Sequence, residues 1–271
     1  MWVLVMDMTK LMAAQKKASK PKDFYVSTWT DVSVEELKAF VGCRLSVEYA
    51  VVKLRLQHYF SSKTGFLFAT PNYRDVFKWD HFLTLWKFLH VCDEESVATD
   101  KNDKLHKLRP VLDFTVPRFQ RHYGLQQDML LDESMIPSKN RLSIKQYIQS
   151  TPIKWGVKAF LLHESATGYI YNVEIYTGKT DGLFVPKIRA SGRVVARLTR
   201  CIEGCNHKVF MDQFYKSPSL SSYLLERKIH SCGTVIPNRK LFPKQLQRNK
   251  KNKQRGQHDY LCNANGMSVT V

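Results

Sequence analysis

Twice the sequence runs a short apolar stretch straight into an aspartate: Asp128-Met-Leu-Leu-Asp132 and Lys208-Val-Phe-Met-Asp212. Segments of this length read as strands, and each would carry a carboxylate to its end. Two further strand-like segments lie between them. Gly156–Leu162 is one and Tyr169–Tyr176 the other, joined through Gly168 as a hairpin. The span 192–202 then follows helical spacing, with Val194, Val195, Leu198 and Ile202 on one side and Arg193, Arg197 and Arg200 elsewhere. After the second acid-ended strand, Ser217-Pro218 caps a helix holding Leu220, Tyr223 and Leu224, with proline in its first turn.

Three strands, a crossover helix, a strand and a helix form an order with few solutions, because the crossover must be right-handed. One standard solution is the ribonuclease H-like sheet, in which the first and fourth strands are parallel neighbours. Asp132 and Asp212 would then emerge at one edge, on strands ~4.8 Å apart.

The first 125 residues have a different period. Ser33-x-x-Glu36 is a capping box. Val34, Leu37, Phe40, Val41 and Leu45 follow it at helical spacing, and Phe82, Leu85, Trp86 and Leu89 form a second such face near Asp80. A third helix is expected over residues 114–123, stopping at Gly124. Residues 1–30 lack a sustained period and are basic in their second half, which predicts a flexible arm.

Composition narrows the class. With 44% hydrophobic residues the chain has enough apolar material for a sizeable core, so bulk disorder is excluded. Apolar runs such as Trp2–Met6 and Ala159–Leu162 fall far short of the ~20 residues a spanning helix needs, and no secretory signal is visible. Lys and Arg number 42 against 24 acids, a net +18 that favours a polyanionic partner, nucleic acid first. A cytosolic or nuclear protein is expected. The six cysteines read as reduced thiols. Cys201-x3-Cys205-x-His207 lacks a fourth ligand at ordinary spacing, so zinc is not expected.

Two carboxylates at neighbouring strand ends repel unless a divalent cation lies between them. Mg2+ suits such hard oxygen donors, and a pair of ions about 4 Å apart would activate an attacking oxygen and stabilise a departing one. Such a site needs three or more carboxylates. After Asp212 the sequence offers Glu226, beside Arg227 and Lys228, and Asp259, at the end of a basic loop. Asp259 is the candidate third acid, and the chain reads as stopping ahead of a stronger one.

Several blocks in order resemble piggyBac-type transposases. Asp132-Glu133-Ser134-Met135-Ile136-Pro137 and Lys154-Trp155-Gly156-Val157-Lys158 look like the first catalytic block, and residues 211–217 (Met-Asp-Gln-Phe-Tyr-Lys-Ser) the second. Cys232-Gly233-Thr234-Val235 with Pro237-Asn238-Arg239-Lys240 resembles the segment that follows, and Val52-Lys53-Leu54, Phe88-Leu89-His90 and Leu108-Arg109-Pro110 the family's helical region. The likeness implies a DDE-type core with Asp132 and Asp212 as its first two catalytic and metal-binding aspartates, Mg2+ as cofactor, double-stranded DNA as partner and a homodimer. In place of the usual Asp-Asn, Gln213 follows Asp212.

The fold class expected is therefore α/β, an incomplete ribonuclease H-like (DDE) core preceded by a mostly helical domain. Residues 31–125 would be the helical dimerisation and DNA-binding domain and 126–236 the partial catalytic-type domain. Residues 237–262 would be a basic insertion-like segment and 263–271 the start of an interrupted strand. In the basic segment Arg239, Lys240, Lys244, Arg248, Lys250, Lys251, Lys253 and Arg255 precede the next acid, and phosphate contact or a solvated, nuclear-targeting run explains them equally. Trp155, with Arg141, Lys145, Lys154 and Lys158 around it, reads either as part of a DNA track or as a core residue at a strand start. The leading reading is a nuclear, transposase-derived DNA-binding protein unable to cut alone. An active Mg2+-dependent transposase or endonuclease and a functionless fragment are the alternatives.

Overall fold

The computed structural model describes residues 1–49, 55–61, 72–93, 103–149, 151–178, 186, 188–248 and 256–271. It divides into two compact units, Met1–Phe114 and Thr115–Val271.

The first unit is helical. Its elements are α1 (Trp2–Ser19), α2 (Phe24–Ser27), α3 (Val34–Tyr49), α4 (Trp79–Phe88) and the start of α5 (Arg109–His122). Ser33 caps α3 as its spacing predicts, its Oγ accepting from the Glu36 N–H at 3.1 Å. Leu37, Phe40, Phe82 and Leu85 bury together with Tyr59, Phe60, Tyr73 and Phe77 in an aromatic core, where rings meet at separations such as 4.8 Å for Phe40–Phe82. Two expected inward residues turn outward. Leu45 is exposed, and Trp86 is 43% exposed with the Arg44 guanidinium 3.7 Å from its ring centroid.

The expected flexible arm is instead largely helix. Val5, Thr9, Met12 and Ala13 of α1 are buried, a stripe at i, i+4, i+7 and i+8. The stripe is hard to see in sequence because a threonine interrupts it. Thr9 is satisfied through its hydroxyl, which donates to the His90 carbonyl at 3.3 Å and accepts from the His90 N–H at 3.2 Å.

The second unit is a mixed sheet with helices. Its strands are β1 (Asp128–Pro137), β2 (Lys145–Tyr147), β3 (Trp155–Glu164), β4 (Ile170–Ile175), β5 (Lys208–Met211) and β6 (His230–Cys232), in the order β2-β3-β1-β5-β6 with β4 also on β3. Helices α6 (Ala190–Leu198) and α7 (Pro218–Leu225) lie in the two crossovers. Met129, Leu131, Phe160, Leu162, Val209 and Met211 form the sheet's share of a core completed by Val195, Leu198, Leu220 and Leu224.

The strand order agrees with the expected topology, and β1 and β5 are parallel neighbours in register from Asp128 opposite Lys208 to Leu131 opposite Met211. Three details differ from the expectation, the first being the short strand β2 paired with the start of β3. β1 does not stop at Asp132 but continues to Pro137, because β3 pairs with it along its whole length. β6 extends the sheet beyond β5, parallel to it. Three residues, His-Ser-Cys, carry too little apolar pattern to announce a strand. The turn leaving β6 needs glycine, since Gly233 sits at φ +150° and a Cβ there would meet the Met211 carbonyl oxygen at 1.9 Å.

The unit boundary falls at 114/115 rather than near 125, because the end of α5 packs on the β3–β4 hairpin. Tyr123 and Tyr169 stack at 4.0 Å, and the Tyr169 hydroxyl donates to the Phe119 carbonyl at 3.1 Å. Glu164, fully buried, accepts from the Tyr123 hydroxyl at 2.7 Å, the Gln126 N–H at 2.8 Å and the Thr167 hydroxyl at 2.6 Å. The Thr167 bond, then that of Gln126, then that of Tyr123, holds its carboxyl below the usual range.

At the C-terminal end, α8 (Lys244–Arg248) precedes β7 (Tyr260–Cys262) and β8 (Ser268–Thr270). The expected interrupted strand is thus one arm of a hairpin, with Leu261 opposite Val269. Lys250, Lys251, Lys253 and Arg255 lie outside the described residues, as does Val52-Lys53-Leu54.

Candidate functional site

Successive residues of a strand point to opposite faces of its sheet. Met129 and Leu131 of β1 face the helix-covered core, so Leu130, Asp132, Ser134 and Ile136 face the other way. On β5 Val209 and Met211 join the same core, which puts Phe210, and by continuation Asp212, on the side of Asp132. The parallel register matches Leu131 with Met211, so the two aspartates follow directly on paired residues of neighbouring strands. Eighty residues of sequence are closed by the crossover.

Both carboxylates are exposed. Each Oδ1 is oriented by a nearby N–H, Asp132 accepting from Glu133 and Asp212 from Phe214, both at 2.8 Å. Neither Oδ2 is engaged among the described residues. Carboxylate oxygens suit a hard divalent ion, which Asp132 and Asp212 would hold. Among the described residues no group of three His, Cys, Asp or Glu side chains is placed to hold a metal. Asp259 closes the β7–β8 hairpin through its backbone, its N–H donating to the Val271 carbonyl at 3.0 Å. Glu226 caps α7 at its C-terminal end and lies 3.7 Å from Arg227. Cys205 is exposed and Cys201 half-buried, with burial pushing the Cys201 thiol up to about 11.

Residues between and beside the aspartates tie the site to the core. Tyr215, buried, donates its hydroxyl to Glu133 Oε2 at 2.5 Å, and Lys158 lies 3.7 Å from the same carboxylate. Burial first, then Glu133 and the charges of Asp132 and Asp212, drive the Tyr215 phenol far above its ordinary value, so it stays a donor. Lys216, 6% exposed, donates its Nζ to the carbonyl and hydroxyl oxygens of Ser231, both at 2.6 Å. Desolvation lowers its pKa to about 8. Glu133, Tyr215 and Lys216 show no role in the sequence alone, because their partners lie 82 and 15 residues away.

The basic candidates divide. Arg239 clamps the loop after Asp212, its Nη2 donating to the Gln213 and Phe214 carbonyls at 2.9 and 3.0 Å. Lys240 and Lys244 are exposed, and Arg248 lies in α8. Trp155 is 55% exposed, which removes the reading of it as a core residue. Among the described residues no helix is long and apolar enough to cross a membrane.

Neighbouring parallel strands that each deliver an aspartate to one face of a mixed sheet, with helices on the other, define a DDE-type, ribonuclease H-like core. A family model described as Transposase IS4 matches residues 2–271, and the chain belongs to that family. Over 195 residues it is 29% identical to human piggyBac transposable element-derived protein 3, covering 70% of this chain and 32% of that protein. Human piggyBac transposable element-derived protein 2 is 25% identical over 197 residues, covering 69% and 32%. A cryo-EM structure of a piggyBac transposase synaptic complex with hairpin DNA superposes with a TM-score of 0.80 at 22% identity, covering 97% of this chain and 53% of that one. The chain is thus piggyBac transposase-derived, and it spans about a third of the length of these curated relatives.

Proposed function

We propose that the chain is a nuclear DNA-binding protein of transposase descent that holds a divalent cation between Asp132 and Asp212 without cutting DNA by itself. The single observation that carries the metal reading is the β1–β5 register, which pairs Leu131 with Met211, the residues immediately before the two aspartates. The DNA reading is supported by the net charge of +18 and by the solved relative, whose complex contains hairpin DNA. When bound, Mg2+ would polarise a phosphodiester oxygen. The chain's own residues do the positioning. The N–H groups of Glu133 and Phe214 orient the carboxylates, Tyr215 and Lys158 hold Glu133, and Arg239 fixes the loop after Asp212. Lys240 and Lys244 supply phosphate contacts. A homodimer belongs to the same reading.

Binding to duplex DNA across a salt series tests it. Each neutralised phosphate contributes about −0.9 to the log–log slope, so several contacts give a slope of several such steps. A slope near zero would overturn the proposal. Mn2+ titration by calorimetry is expected to show binding in the wild type and none in Asp132→Asn. Incubation with Mg2+ or Mn2+ and terminal-repeat DNA is expected to leave the DNA intact. Cleavage by the wild type that Asp132→Ala abolishes would establish the active-enzyme reading instead.

A further inference from the structure

At one corner of the second unit's sheet, β2 pairs with the start of β3, placing Tyr147 directly opposite Trp155 and Lys145 opposite Val157. Directly opposed residues of an antiparallel pair share a face. The two rings are 4.8 Å apart at 46°, with Lys145 Nζ 5.3 Å from the Trp155 ring centroid. Tyr147 is 51% exposed and Trp155 55%. Large rings left open beside each other do not serve the core, and such patches mark interaction sites.

The nearby sequence is one-sided in charge. From Ser134 to His163 it holds Lys139, Arg141, Lys145 and Lys154 and neither Asp nor Glu, while Lys158, also in this span, turns to the other face and pairs with Glu133. The corner also lies on the sheet face of the aspartates. Asp132 is opposite Leu161 and Ile136 opposite Val157, so Trp155, Val157 and Leu161 of β3 share the Asp132 side. Six residues separate Leu161 from Trp155, roughly 20 Å along the strand.

We propose that Tyr147 and Trp155 form a stacking platform for unpaired bases of a DNA strand, carried on the same sheet face as Asp132 and Asp212. The inference rests on the DNA-binding reading and specifies which form of DNA this corner takes. Rings need an open base face, which a duplex interior does not offer and an unpaired strand does. A second copy of the chain would bring four further cations against the same four. An acidic peptide would match the charge but offer the rings nothing to stack on.

The test uses the full chain with fluorescein-labelled oligothymidylate, duplex DNA of equal length, and sodium polyglutamate as a charge-matched polymer without bases. Tyr147→Ala/Trp155→Ala is expected to lose about ten- to a hundredfold in affinity for oligothymidylate, with duplex affinity little changed. Trp155→Phe keeps a ring and retains most single-strand affinity. Oligothymidylate is expected to quench wild-type tryptophan emission more than polyglutamate does, and the difference should vanish in Trp155→Phe. Unchanged single-strand affinity in the double variant, or equal quenching by the two polymers, would overturn the platform while duplex binding leaves the DNA reading standing. Absence of salt-dependent duplex binding in the wild type would remove both. If the double variant fails to melt cooperatively, the quenching comparison alone decides.

Discussion

Leu131 and Asp132 are neighbours on β1, yet Leu131 is 1% exposed among helices and Asp132 lies open. The same contrast holds for Met211 and Asp212. One face of the sheet, with Met129, Leu131, Phe160, Leu162, Val209 and Met211, is closed by α6 and α7. The opposite face carries both aspartates, Trp155 and Tyr147, and far fewer buried side chains. Within one unit, stability and chemistry are separated by the alternation of single residues. Charge can accumulate on the open face because the closed face holds the fold together.

If the faces divide the labour in this way, substitutions should rank by face. Leu131→Ala, on the closed face, is expected to cost about 2–5 kcal/mol by urea denaturation. A loss below about 1 kcal/mol would show that the core is not where the stability lies. Tyr215→Phe removes one hydrogen bond to Glu133, which keeps Lys158 beside it, and the loss of such a bond costs about 0.5–1.5 kcal/mol. The same denaturation series measures it, and a neutral result would mean that Glu133 rehydrates.

Lys216 sharpens the comparison through pH. Burial lowers its pKa from 10.5 to about 8, so above pH 8 the folded chain releases this proton while the unfolded chain keeps it. The unfolded state then binds more protons, and the stability contributed by this site rises with pH up to 10.5. The penalty is fully present below pH 8. Relative to Lys216→Met, the wild type should gain stability on passing from pH 8 to pH 10. Parallel curves for the two proteins would mean that the ammonium is not desolvated.

The smallest effect is expected at the open face itself. Asp132→Asn and Asp212→Asn should each change stability by no more than about 0.5 kcal/mol without metal. Thermal melting checks this, and a large loss from either would make the aspartates structural rather than functional.

Much of this organisation is legible in the sequence. The two acid-ended runs, the hairpin through Gly168, the capping box at Ser33 and the crossover helix are local patterns that formed where their spacing put them. What escaped was decided by distant partners. α1 looked like a loose arm because its buried stripe includes Thr9, whose hydroxyl is matched by His90. β6 was hidden because three residues gain strand character only from β5 beside them. The hold of Arg239 on the Gln213 and Phe214 carbonyls is likewise invisible in the sequence, because it spans 26 and 25 residues. Trp155 was open to two readings until its exposure was known.

The sequence by itself determined the two apolar runs that reach an aspartate, the helical faces after Ser33 and in the crossover, and the excess of positive charge, because these follow from composition and from periods of two and 3.6. Only the tertiary structure decided that Asp132 and Asp212 share a face, that Glu133 turns to Tyr215, and that Tyr147 meets Trp155 in the open. Which face a side chain takes is set by register, and register is fixed by pairing and packing between segments far apart in the chain.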